Sequence, residues 1–190
     1  MKESLYFVAY LPDEPVAQQV WAYKREVAGQ CGSVYGLKVL PHVTFINPFH
    51  WLESREQEMA GKLSSLISSF AAEELIFNGF GCFKGEKSNT IYITVERSTL
   101  MEEQHAQLSI HARNKLHMSV TLTGKSFTTH MTIAYRDLKE QEFACAWPLF
   151  EHRPFNASGR LDRLWLLKHN GARWETLQEF IFQGVANTLF

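Results

Sequence analysis

The chain has 190 residues, of which 45% are hydrophobic, 21% charged and 13% aromatic, a profile for one globular domain or two small lobes with a substantial core. The bias in charge, Gly and Pro, or Cys that marks disorder, collagen-like repetition or a disulfide-stapled miniprotein is absent. Nineteen Lys and Arg against twenty Asp and Glu give a net charge of −1, which argues against a protein that grips long duplexes and must neutralise many phosphates. A small phosphorylated nucleotide or an RNA end needs only a few placed donors and stays in play.

Cys31, Cys82 and Cys145 are odd in number and lack CxxC spacing, so neither a disulfide framework nor a metal site is expected. Free thiols in a reducing cytoplasm fit this pattern. The apolar run Leu5–Leu11 is too short for a secretory signal and ends at Pro12-Asp13-Glu14-Pro15. No stretch reaches membrane-spanning length, and a cytoplasmic monomer without cofactor or membrane partner is the expectation.

Leu5–Leu11 reads as a buried strand, and Val16, Val20, Tyr23 and Val27 then recur at helical spacing until Gly29 and Gly32. Gly36–Asn47 reads as a strand carrying Pro41-His42-Val43-Thr44-Phe45 and closed by Asn47-Pro48. Ser54-Arg55-Glu56-Gln57 has the form of a capping box before a helix with Met59, Leu63, Leu66, Ile67 and Phe70 on one face. Leu75–Phe83 and Thr90–Glu96 form a predicted hairpin across Lys84–Asn89. Thr99-Leu100-Met101-Glu102 resembles a second capping box, opening a helix to about Leu116. Thr128–Tyr135 is a strand with Thr129-His130-Met131-Thr132-Ile133, and Asp137–Ala146 a short helix. Phe155–Ala157, Leu164–Lys168 and Thr176–Phe182 are further strands, separated by turns at Gly159 and Asn170-Gly171.

The order strand, helix, His-bearing strand, helix occurs twice, starting at Leu5 and at Ile91, 37 and 39 residues before the respective histidine. His42-Val43-Thr44-Phe45 and His130-Met131-Thr132-Ile133 share the pattern His, apolar, Thr, apolar. On a strand, His and Thr then share one face about 6–7 Å apart while the apolar pair enters the core. Eight His and eleven Thr in 190 residues give about half a copy of His-x-Thr by chance. Two copies on equivalent strands are therefore informative. His117-Met118-Ser119-Val120 is a near-match at a predicted helix end and is assigned to structure.

Two such strands facing one cleft would set two imidazoles on opposite sides of a small ligand. One could take a proton from a nucleophile and the other give one to a leaving oxygen at a phosphodiester, because the unperturbed histidine pKa of about 6.5 suits both tasks. The threonine hydroxyls would hold non-bridging oxygens without a metal.

These paired motifs, their separation, and Gly79-Phe80-Gly81-Cys82-Phe83 followed by Ile91-Tyr92-Ile93-Thr94-Val95 resemble the 2H phosphoesterase superfamily, in its 2′-5′ RNA ligase-like and cyclic phosphodiesterase branch. The resemblance implies an α+β, bilobal, pseudo-two-fold fold with two antiparallel sheets flanking a central cleft and helices outside. Residues 1–190 would then be a single domain of two interleaved lobes, each giving one His-x-Thr strand to the cleft. It implies a metal-independent phosphodiesterase for 2′,3′-cyclic phosphates or 2′-5′-linked RNA or nucleotide, with no cofactor. His42 and His130 become the catalytic pair, with His130 as base and His42 as acid, and Thr44 and Thr132 hold phosphate. Many relatives carry Arg three residues after the second motif's Thr, where this chain has Tyr135. Either Tyr135 replaces that cation or a bulge restores Arg136.

Phe83 and Tyr135 are the substrate-binding aromatics favoured by position, and Arg136 joins them. Phe45, Phe49, Trp51, Phe80 and Tyr92 fit the core better than a base-stacking surface. Arg153, Arg160, Arg163 and Arg173 fit solvated positions among acidic neighbours better than a cleft rim. A cyclic phosphodiesterase for a non-RNA nucleotide of the ADP-ribose type, and a non-catalytic RNA- or nucleotide-binding module on the same fold, are the alternatives.

Overall fold

The structure is a computed structural model that describes residues 2–117 and 128–185. Its elements run β1 (Glu3–Tyr10), α1 (Glu14–Cys31), β2 (Val43–Leu52), α2 (Glu56–Ile67), β3 (Glu73–Phe83), β4 (Thr90–Val95), α3 (Thr99–Leu116), β5 (His130–Ala134), α4 (Glu140–Ala146), β6 (Asn156–Leu161), β7 (Arg163–His169) and β8 (Trp174–Ile181). The fold is α+β, with a curled antiparallel sheet of order β6-β3-β4-β5-β2-β1-β7-β8. The two sheets expected from the sequence are the halves of this one, joined where β2 meets β5 at Val43 and Met131. Both copies of the repeated order place the opening strand beside its His-bearing strand, β1 on β2 and β4 on β5.

Alternation along the strands explains which face is covered. Tyr6, Val8 and Tyr10 of β1 enter the main core with Val43, Phe45, Met131 and Ile133, all nearly inaccessible. Phe7 and Ala9 point the other way and form a small second cluster with Leu167, flanked by Leu40 and Trp174. One continuous core therefore fills the helical side, with only a small cluster on the other face. The long helices cross over: α1 packs on α4 and against β5 and β6, while α3 packs on α2 and against β2.

Several boundaries differ from the sequence reading for local reasons. Residues 35–38 form a 3₁₀ turn, and β2 starts at Val43 and runs through Asn47-Pro48. The pairing of Tyr6 with Phe49 and Val8 with Ile46 leaves one extra residue in β2 there, so Pro48 sits in a bulge where its missing N–H costs no ladder bond. Ser98, one residue earlier than expected, caps α3 by accepting from the Met101 N–H at 2.9 Å. Before α2, residues 53–55 form a 3₁₀ turn in place of a capping box. Gly159 lies inside β6, where a Cβ would stand 2.4 Å from the Tyr10 hydroxyl. His117 takes the left-handed cap of α3, and Met118–Val120 lie outside the described residues.

The free-thiol expectation is corrected: Cys31 at the end of α1 and Cys145 in α4 form a disulfide across 114 residues, and Cys82 is free. Spacing rules read local pairs, whereas this bridge follows from the docking of α1 on α4.

Candidate functional site

The β2–β5 junction sets the two motifs side by side. Val43 opposes Met131, so the antiparallel register continued by one residue puts His42 opposite Thr132 and Thr44 opposite His130. Val43 and Met131 are 1% and 0% exposed on the core side, which turns all four polar side chains to the other face. They line one cleft of about 390 Å³ with Phe83, Tyr135 and Arg136. A larger cavity of about 560 Å³ opens near the start of β1 and contains neither motif. Its Lys168 is held by Glu53 and Glu56 at 3.1 and 2.8 Å, so the charge there is already balanced.

Each imidazole is fixed by the carbonyl two residues before it. His42 Nδ1 donates to Leu40 O and His130 Nδ1 to Thr128 O, both at 2.7 Å. A carbonyl only accepts, so the ring hydrogen sits on Nδ1 and the neutral ring keeps Nε2 bare. Burial depresses the His42 pKa to about 4, against the pull of the Leu40 carbonyl, with Lys24 and His130 adding to the depression. Burial lowers His130 as well.

Aromatic rings back both histidines. Phe7 meets His42 at 5.0 Å and Trp174 at 4.5 Å between centroids. Phe83 and Tyr92 meet His130 at 5.3 and 5.2 Å. Phe83 remains 39% exposed, leaving ring surface for a ligand.

After the second motif β5 carries the bulge considered from sequence, since Tyr92 pairs with Thr132 but Ile91 with Ala134, and a left-handed residue follows it. β5 ends at Ala134, and Arg136 has φ of 65°, which re-aims a side chain that a regular strand would send away. Its Nη1 donates to the Tyr35 hydroxyl at 2.6 Å, with the guanidinium over the rings of Tyr35 and Tyr135. Arg136 and Tyr135 thus both reach the cleft, and burial raises the Tyr135 phenol to about 12, keeping it a neutral donor. Asp137 ties the two loops together: its carboxylate accepts from Ser33 Oγ and from the N–H groups of Val34 and Tyr35. Gly36 allows that approach, since a Cβ would lie 2.2 Å from Ile133 O.

Sequence reasoning missed Phe7, Trp174 and Lys24, which also line the cleft. Lys24 had a readable signal, a lysine four residues after Val20 and three before Val27 on the buried stripe of α1. Phe45 is core, and Phe80 packs with Tyr23, Phe150 and Phe155. Arg153 pairs with Glu26, Arg160 and Arg163 with Asp162, and Arg173 with Glu175; none of the four lines the cleft. Among the described residues there is no group of three His, Cys, Asp or Glu arranged to hold a metal ion, and no helix is long and apolar enough to cross a membrane.

Comparison with known proteins agrees with this architecture. The family model of the 2′-5′ RNA ligase superfamily matches residues 12–173. The chain is 27% identical over 184 residues to "Putative phosphoesterase GK0864" of Geobacillus kaustophilus (strain HTA426), covering 94% of this chain and 96% of that protein. Among solved structures, TT0787 of Thermus thermophilus is similar with a TM-score of 0.65 at 16% identity, over 95% of this chain and 98% of that one. E. coli LigT complexed with 3′-AMP gives a TM-score of 0.64 at 14% identity, over 95% and 99%. With a family model matching most of its length, the chain belongs to the 2′-5′ RNA ligase superfamily and is a phosphoesterase of the 2H type.

Proposed function

We propose that the protein is a metal-independent phosphodiesterase for 2′,3′-cyclic phosphates or 2′-5′-linked RNA or nucleotide. The observation that carries this reading is the pair of carbonyl-anchored imidazoles, each register-matched to the other motif's threonine, in one cleft. The diester phosphorus sits between the two Nε2 atoms. His42, the ring more strongly backed by a cation, accepts the proton of the attacking water, and His130 protonates the departing ribose oxygen. These roles reverse the sequence-based assignment, because burial holds His42 toward its uncharged form and the Lys24 charge adds to that. Thr44, Thr132 and Arg136 donate to the non-bridging oxygens, where charge grows in the transition state. Phe83 and Trp174 offer faces for a base or ribose.

LigT has been solved with 3′-AMP, ATP and NADP⁺, and all three carry an adenine nucleotide. That supports a nucleotide-sized substrate here, consistent with the cleft volume of about 390 Å³. The test is product analysis with a nucleoside 2′,3′-cyclic phosphate and a 2′-5′-linked dinucleotide in EDTA. Turnover is expected, and it is lost on His42→Ala or His130→Ala. No product from either substrate, or near-normal turnover in a folded histidine variant, overturns the reading.

A further inference from the structure

Lys24 projects from the buried face of α1, where Val16, Val20 and Val27 are its neighbours, and is 2% exposed. A lysine is seldom buried so fully without a carboxylate, yet no ion pair to it forms among the described residues. Its Nζ donates to Val39 O at 2.6 Å and Gly36 O at 3.1 Å, and lies 5.1 Å from the Trp21 ring centre. Those carbonyls engage two of the three ammonium donors. The same side chain forms part of the cleft wall shared by the two histidines.

The connection to His42 is short. Val39 precedes Leu40, whose carbonyl anchors the His42 ring, so the lysine fixes the backbone that fixes the imidazole. His130 is anchored the same way by Thr128, but among the described residues no second lysine lines the cleft. We propose that Lys24 is a positioning residue: it grips the carbonyls of residues 36 and 39, so steadying the backbone that anchors His42, and it sets a cation in the cleft wall that opposes protonation of that ring beyond what burial already does.

Other titratable groups facing His42 are His130 from β5 and Tyr135 and Arg136 from the loop after it, and among the described residues no carboxylate lines the cleft. Burial lowers the lysine to about 7. Below that value it is charged, and it then opposes proton uptake at His42.

This inference rests on His42 and His130 as the acid–base pair, but its decisive test needs no turnover. Histidine ring NMR titrations of the whole chain, assigned with His42→Gln and His130→Gln, compare wild type with Lys24→Met. The His42 midpoint is expected to rise by about one pH unit, while that of His130 hardly moves. Lys24→Gln keeps a donor for the Val39 carbonyl without the charge and gives the same rise if the Met variant does not fold. Lys24→Arg restores the wild-type midpoint. On a substrate the wild type hydrolyses, Lys24→Met lowers kcat about tenfold with KM nearly unchanged, and the acidic limb of the pH profile moves up. A His42 midpoint that stays fixed in the folded variants, or that moves together with His130, overturns the proposal. Absence of turnover in the wild type bears on the proposed function alone.

Discussion

His42 and His130 are held alike, each by a carbonyl two residues back and each where a strand begins, with the next residue in the core. Around them the halves of the sheet diverge. Behind His42 stand Lys24, Phe7 and Trp174, and β2 goes on into a bulge at Pro48. Next to His130 are Phe83 and Tyr92, and β5 stops five residues in, so that Arg136 can turn back toward the cleft. A repeated backbone framework supplies two equivalent rings, and unrelated neighbours make them chemically unequal. On the proposed mechanism, the motif sets where a proton can go, while residues outside it set the direction.

The largest effect that separates the halves is on turnover. His42→Ala and His130→Ala each should lower kcat by about 10²–10⁴, and the double variant should lose far less than the product of the two, as for groups that act together. Steady-state kinetics on a cyclic phosphate checks this, and multiplicative losses would show that the rings act independently. Next comes the bridge that clamps α1 to α4 and so joins the halves from behind. Cys31→Ser with Cys145→Ser should lower stability by about 2–4 kcal/mol, as for a long closed loop, measured by urea unfolding without reductant. Arg136→Ala removes the cation peculiar to the second half and should weaken phosphate binding by about 1.5–3 kcal/mol. Calorimetry with a nucleotide product reads that loss, and unchanged affinity would leave Tyr135 as the phosphate donor.

The most gradual effect, spread over several pH units, concerns acid stability. The folded pKa of His42 is depressed from 6.5 to about 4, so between those values the unfolded chain binds more protons than the folded one. Stability therefore falls as pH drops through this window, by up to about 1.4 kcal/mol per unit. His42→Gln should flatten that slope more than His130→Gln does, and equal flattening in urea titrations across that acidic window would erase the distinction between the rings.

The motifs and most strands are legible because period-two alternation and His-x-Thr are local signals. The span Thr128–Tyr135 overshoots β5 by one or two residues at each end, and Arg136 follows a bulge that the sequence offered as one of two options and a positive φ that no neighbouring residue announces. Phe7 is legible as buried but not as a wall of the cleft. It sits on the sheet face opposite Tyr6 and Val8, and a run apolar on both faces gives no phase. Trp174 and the Cys31–Cys145 bridge depend on chain segments meeting across more than a hundred residues. Lys24 breaks an otherwise apolar stripe, and a polar exception in a buried pattern is the kind of local conflict that marks functional sites.

The crossing of the long helices also constrains how the protein is made. β2 packs under α3, with the Phe45 ring 6.3 Å from that of His105, and α3 spans Thr99–Leu116. During synthesis from the N-terminus, the apolar side of β2 emerges long before its cover and waits through α2, β3 and β4. A nascent chain stalled before residue 116 therefore presents that side to chaperones. The first half cannot finish folding until the second supplies a helix.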